Sequence, residues 1–251
     1  MNPVILLMAA CFLCFASNSR AEVIQMLKTP RGADVQVIVH NSDTSSGSVM
    51  VIAPGRSCNA KSQLFETIGN LAPDLGITAV RFEWAYCLSD PQHPSPSQGG
   101  KNEIEDMQTV ITFAKSLQKV DTPRLALVGK SMGSVIAYRV FAKDPSVKAL
   151  ALLTPLCLSV SDCDNMYPSL KKESRPILMT MGDKDSDNCS IPALFDFLKD
   201  DSGDIWISIA GGDHGFGIAA ATGTLTTDKT QRNIKAVVTS LLNWADIKLN
   251  P

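Results

Sequence analysis

The chain has 251 residues, 45% of them hydrophobic and 19% charged, with 16 glycines and 14 prolines, which excludes collagen-like, disordered and coiled-coil classes. Its net charge of −2 is spread along the sequence and only 6% of residues are aromatic, so neither a basic surface nor a stacking platform suggests nucleic acid as a partner. The length suits one large α/β domain or two small ones.

Residues 1–16 carry no charge, and residues 4–16 form an almost unbroken apolar run. Ser19 and Ala21 then supply the small-x-small pattern read by a signal peptidase. The run is too short to span a bilayer, which takes about 20 apolar residues. Two other readings compete. The missing Lys or Arg before Val4 favours a retained anchor, and Met8-Ala9-Ala10-Cys11 approaches a lipobox, although the apolar stretch before Cys11 is short for one. The expectation is a signal peptide over 1–21 and a single domain over 22–251, with no later run of membrane-spanning length. Without the leader, Cys58, Cys87, Cys157, Cys163 and Cys189 remain. An oxidising compartment allows disulfides among them, and the odd number leaves at least one thiol unpaired or shared between chains.

Beyond residue 22, strands are predicted over 23–28, 35–40, 49–53, 77–82, 124–128, 149–153, 177–181 and 205–209. The later runs are continuously apolar, as expected for parallel strands buried on both faces. Helical stripes lie between them. Leu64, Phe65, Ile68, Leu71 and Ala72 share one face of 61–72, and Ile104, Met107, Ile111, Ala114 and Leu117 share one face of 102–117. Glu103, Glu105 and Asp106 open the second helix and Lys115 lies near its end, as the helix dipole prefers. Between these helices, residues 89–100 form a Pro-, Gly- and Ser-rich irregular loop. The last stripe is Ile234, Val237, Val238, Leu241, Leu242 and Ala245. This alternation predicts one α/β domain around a mostly parallel eight-stranded sheet.

Gly129-Lys130-Ser131-Met132-Gly133 stands between the apolar run 125–128 and the helical stretch 134–142. A G-x-S-x-G elbow needs this strand–turn–helix setting, because its serine occupies a sharp, strained corner that the glycines permit. The same residues suggest the end of a phosphate-binding loop, but that motif needs a glycine where Arg124 stands. A serine hydroxyl requires a base. Of His40, His93 and His214, only His214 lies after Ser131, as the order that accompanies this elbow demands. His40 at a strand end and His93 among prolines read as solvated histidines. Asp183, Asp185 and Asp187 follow the strand at 177–181 and compete as the acid. Their spacing suggests a calcium loop, yet the sixth position is Asn188 and the twelfth Leu194. The histidines are dispersed and no cysteine pair has zinc-ligand spacing, so no metal and no cofactor are expected.

From residue 49 to the C-terminus the chain resembles the α/β-hydrolase superfamily, closest to its dienelactone-hydrolase-like, lidless branch. The resemblance implies Ser131 as nucleophile, His214 as base and Asp185, which closes the stretch Gly182-Asp183-Lys184-Asp185, as the acid. It places the oxyanion hole at the amide of Met132 and at a second amide in the loop 54–58, for which Arg56 is chosen. Two positions depart from the family pattern: Pro54-Gly55 replaces a common His-Gly, and Ser134 replaces a glycine. The span between Leu153 and Ile177 leaves no room for a large cap, so the site should be open and shaped by Arg56, Lys130 and the 89–100 loop. Cys58 and Cys87 follow strands that end on the same face of the sheet, and Cys157 with Cys163 could close a small loop. The implied activity is that of an exported serine hydrolase, carboxylesterase-like, acting on a small-molecule ester, thioester or related acyl bond. The alternative is a catalytically silent binding or scaffold module on the same fold.

Overall fold

The computed structural model describes residues 22–43, 47–88, 94–117, 124–198, 205–218 and 227–250, so the 1–21 leader lies outside it. Eight strands form one sheet: β1 (Val23–Lys28), β2 (Asp34–His40), β3 (Ser48–Ala53), β4 (Ile77–Glu83), β5 (Arg124–Lys130), β6 (Val147–Leu153), β7 (Ile177–Gly182) and β8 (Ile205–Ile209). Their order is β1-β2-β4-β3-β5-β6-β7-β8. β1 and β2 form an antiparallel hairpin, β2 is antiparallel to β4, and every other pairing is parallel. The expected eight-stranded, mostly parallel sheet is present.

The two-residue period of a strand explains why the central runs are apolar throughout. In β3 and β5, Val49, Val51, Leu125 and Leu127 face one core, while Met50, Ile52, Ala126 and Val128 face the other. The first core is covered by α2 (Lys101–Ser116) and α3 (Met132–Phe141), through Met107, Val110, Ala114, Val135 and Tyr138. The second is covered by α1 (Gln63–Leu71) and the long α6 (Thr227–Leu249), through Phe65, Ile68, Val237 and Leu241. Truncating any of these large buried side chains to alanine costs about 2–5 kcal/mol through lost burial and the cavity left behind. Helices on both faces leave the carboxyl ends of the parallel strands as the place where loops converge.

Two helices were not visible in the sequence pattern: α4 (Val160–Met166) and α5 (Ile191–Leu198). α4 has seven residues and buries only Cys163, so it carries no stripe; its start is set by Ser159, whose side chain accepts from the Asp162 N–H. α5 is apolar nearly all round, with Leu194 and Phe197 buried and Phe195 56% exposed, a pattern that does not separate helix from strand. Cys163 of α4 and Leu194 and Phe197 of α5 are buried in the first core.

Candidate active site

β5 ends at Lys130 and α3 begins at Met132, which leaves Ser131 alone at the corner with φ 54° and ψ −122°. A non-glycine residue held there costs roughly 1–3 kcal/mol, so the surroundings must impose it. They do so from both sides. The Ser131 N–H donates to the Leu153 carbonyl at 3.0 Å, and the Ser134 hydroxyl donates to the Ser131 carbonyl at 2.5 Å. A Cβ on Gly129 would meet the Gly133 carbonyl, and one on Gly133 would meet the Pro54 carbonyl, so both flanking positions need glycine. Ser134, which departs from the family pattern, has a role here. Its hydroxyl lies 2.8 Å from the buried Tyr167 hydroxyl, which accepts the Leu156 N–H at 3.0 Å. The elbow is thereby tied to the loop after β6.

His214 and Asp185 arrive on separate loops. Asp185 follows β7 and is 3% exposed; its Oδ2 lies 2.7 Å from His214 Nδ1. Asn188 donates to the other carboxylate oxygen at 2.8 Å, so both oxygens of the buried acid are engaged. Asp183 goes elsewhere: it is exposed, and its Oδ1 accepts the Gly211 N–H at 2.7 Å, shaping the turn that precedes His214. Asp187 is exposed as well. Spacing alone could not choose among the three aspartates; the geometry brings only Asp185 to the imidazole.

The loop after β3 passes directly against Ser131. A Cβ on Gly55 would stand 3.3 Å from Ser131 Cβ, so the backbone leading to Arg56 lies beside the nucleophile corner. The loop is pinned at several points. Trp84 Nε1 donates to the Pro54 carbonyl at 3.1 Å, Tyr86 Oη donates to the Arg56 carbonyl at 2.7 Å, and the Cys58 N–H closes the turn onto Gly55 at 3.1 Å. Cys58 is also bonded to Cys87, and Cys157 to Cys163, the two pairings suggested by strand ends and loop length. Cys189 remains a buried thiol, pushed up to about 12 chiefly by burial, and is therefore inert as a nucleophile. Among the described residues, the one grouping of metal-ligating atoms is Cys58, Glu83 and Cys87, and its two sulfurs are consumed by the disulfide.

A cleft of about 740 Å³ opens over these elements. Ser131, His214, Arg56, Lys130 and Asn188 line it, with Leu64, Phe65 and Ile234 as the apolar part. The Ser131 hydroxyl and the imidazole face this space without a hydrogen bond between them among the described residues, a common state before substrate binds. Lys130 projects toward the histidine loop, and burial lowers its ammonium to about 8 although Asp185 and Asp213 act to raise it. The described part of the 89–100 loop does not reach the cleft. Ser97 there donates to Glu103, and the Gly99 carbonyl accepts from Arg139.

A family profile described as an alpha/beta hydrolase domain matches residues 46–242. The chain belongs to the α/β-hydrolase superfamily. Among solved structures, an alpha-beta serine hydrolase homologue from Coxiella burnetii is 18% identical with a TM-score of 0.65, over 87% of this chain and 97% of that one. An α/β serine hydrolase without a lid from Xanthomonas campestris is 17% identical with a TM-score of 0.64, over 89% and 94% of the two chains. Est1E from Butyrivibrio proteoclasticus is 12% identical with a TM-score of 0.65, over 91% and 99%. At these identities the likeness is one of fold. No curated protein matches the sequence. This α/β-hydrolase has no described helix long and apolar enough to cross a membrane, and its two disulfides suit an oxidising compartment.

Sequence reasoning missed two site residues and one contact. Asn188 stands three positions after the acid, a spacing that could have marked it as a partner. Tyr167 and the reach of Lys130 to His214 depend on contacts distant in sequence and left no local signal.

Proposed function

We propose that this α/β-hydrolase is an exported serine hydrolase that cleaves an ester, thioester or related acyl bond of a small-molecule substrate. The observation that carries the reading is the 2.7 Å contact between Asp185 Oδ2 and His214 Nδ1, in a cleft shared with a serine on a strained elbow. Asp185 holds Nδ1–H and leaves Nε2 as the acceptor. Ser131 Oγ attacks the acyl carbon as His214 takes its proton, and the tetrahedral oxyanion forms between the amides of Met132 and Arg56. Met132 opens α3, where first-turn amides lack intrahelical partners, and Arg56 follows the Gly55 backbone that touches Ser131. The imidazolium then gives its proton to the departing alcohol or thiol. Water repeats the sequence on the acyl-enzyme, restoring Ser131 and releasing the acid. With no cap domain among the described residues, the cleft suits substrates that approach from open solvent. Export rests on the 1–21 leader pattern together with the two disulfides.

A fluorophosphonate probe tests this without knowledge of the natural substrate. It should label Ser131 of the wild type, and Ser131→Ala or His214→Ala should abolish or nearly abolish labelling in folded protein. Labelling should weaken as pH falls and the imidazole takes up a proton. Folded wild type that stays unlabelled across neutral and mildly alkaline pH would leave a binding or scaffold module as the reading.

A further inference from the structure

Lys130 belongs to the elbow sequence, but its side chain serves the opposite wall of the site. Its Nζ donates to the main-chain carbonyl of His214 at 2.7 Å and reaches Thr154 Oγ1 at 3.3 Å. Thr154 is buried, held at φ 44°, and its N–H donates to the Thr180 carbonyl at 2.7 Å. One ammonium therefore joins the end of β5, the residue after β6 and the loop after β8. The other bonds that hold the histidine loop come from the β7–β8 side and from α6: Lys184 N–H to Gly212, Asp213 N–H to Gly217 and Phe216 N–H to Asp213, each at 2.9 Å, and Asn233 Nδ2 to the Phe216 carbonyl at 3.1 Å. Among the described residues, Lys130 alone connects the neighbour of the nucleophile to the residue that carries the imidazole.

This arrangement is costly for a cation. No carboxylate lies within ion-pair distance of Nζ among the described residues, and a neutral donor could satisfy the carbonyl. A charge kept in such a place suggests that the charge itself is used. The groups facing His214 define the effect. Asp185 sits on Nδ1 at 2.7 Å. The Asp213 carboxylate is turned onto the Gly215 and Gly217 amides, Asp183 is on Gly211, and Arg56 lines the same cleft. Lys130 is the cation in direct contact with the histidine's own residue.

We infer that Lys130 is a positioning residue for the base, fixing the His214 backbone relative to Ser131 and opposing a second positive charge on the imidazole. The inference rests on the serine-hydrolase reading. Only the neutral imidazole can accept the serine proton, so a cation held beside it acts against the form that cannot. Burial lowers the ammonium only to about 8, so Lys130 is charged throughout the acidic range where this matters.

The test is the fluorophosphonate labelling rate from about pH 5 to 8 for wild type, Lys130→Met, Lys130→Arg and Ser131→Ala, with folding followed by thermal melting. Lys130→Met should label about tenfold more slowly at neutral pH, the loss of one charge-assisted hydrogen bond. Its acidic midpoint should move upward by about half a pH unit or more. Lys130→Arg, which keeps charge and donors, should bring the midpoint back to that of the wild type. If Lys130→Met does not fold, Lys130→Gln supplies the same midpoint comparison. Wild type labelled at Ser131, with the midpoint unmoved in the charge-free variant, overturns the inference and leaves the hydrolase reading intact. A uniform slowing with no midpoint change does the same, because that is what loss of structure alone produces. Folded wild type that does not label overturns the hydrolase reading, and the inference with it.

Discussion

Two histidines of this protein lie near carboxylates, and their surroundings give them opposite properties. His214 is partly open to the cleft, and Asp185 meets it directly at Nδ1, a partner that orients the ring and tolerates a positive charge on it. His40 ends β2 and is 2% exposed. Arg81 Nε donates to its Nε2 at 3.0 Å, so that nitrogen must be an acceptor and the ring neutral. Glu22 lies 3.6 Å from His40 but is engaged more closely by Arg81, at 2.7 Å. A nearby carboxylate therefore does not make a histidine into a base; the group on the ring nitrogen decides. The His40 region supports the other one. Arg81 also donates to the Ala60 carbonyl at 2.5 Å, and the Glu83 carboxylate accepts the Ala60 N–H, which anchors the far end of the loop that carries Arg56.

The sharpest way to break this comparison is to neutralise the carboxylate on His214. Asp185→Asn should lower labelling and ester turnover by about 10⁴, because the amide holds the imidazole in the wrong tautomer. Asp183→Asn should stay within a few-fold of wild type, since Asp183 orders the Gly211 turn and does not reach the ring. Measured rates in the opposite order would reassign the acid.

The two disulfides separate a constraint on the site from one beside it. Cys58–Cys87 spans 29 residues and clamps the loop against Ser131; Cys157–Cys163 spans 6. Loop-closure entropy predicts a loss of about 3–4 kcal/mol when the first is replaced by serines and about 2 kcal/mol for the second. Only the first should also slow labelling, because it frees the Arg56 amide. Denaturant titration of the two double variants reads the stabilities, and equal labelling rates would show that the clamp is not needed to hold that amide.

Most of the fold was legible because the sheet is buried on both faces: Val49 and Val51 feed one core while Met50 and Ile52 feed the other. Strand ends were less so. β5 runs on to Lys130, which pairs with Leu153, although Gly129-Lys130 reads as a turn. Ser131 and His214 were legible from motif and order. Asp185 was separated from Asp183 only by resemblance, since both follow the same strand. His40 was expected to be solvated and is buried instead. Its partner Arg81 stands on β4, and only the β2–β4 register, with Ile38 opposite Arg81 and His40 opposite Ala79, brings them together. Such a contact, like that of Lys130 with His214, is fixed by tertiary pairing and leaves no periodic trace.

The smallest predicted effect sharpens the contrast on the His40 side. Burial first, then the positive charge of Arg81, lowers His40 from 6.5 to about 4, against the pull of Glu22. The unfolded chain therefore binds a proton at this site that the folded chain refuses. The contribution to stability is complete above about pH 6.5 and is lost as pH falls toward 4. Between about pH 7 and pH 5 the linkage amounts to about 2 kcal/mol, a span in which few carboxylates titrate. Denaturant unfolding should show that loss in wild type. In His40→Gln, which keeps a carbonyl acceptor for Arg81 and cannot titrate, stability should be lower at pH 7 but nearly flat over the same interval. Parallel curves for the two proteins would mean that His40 already shares its proton with Glu22. It would then resemble His214 more closely than the 3.0 Å bond from Arg81 allows.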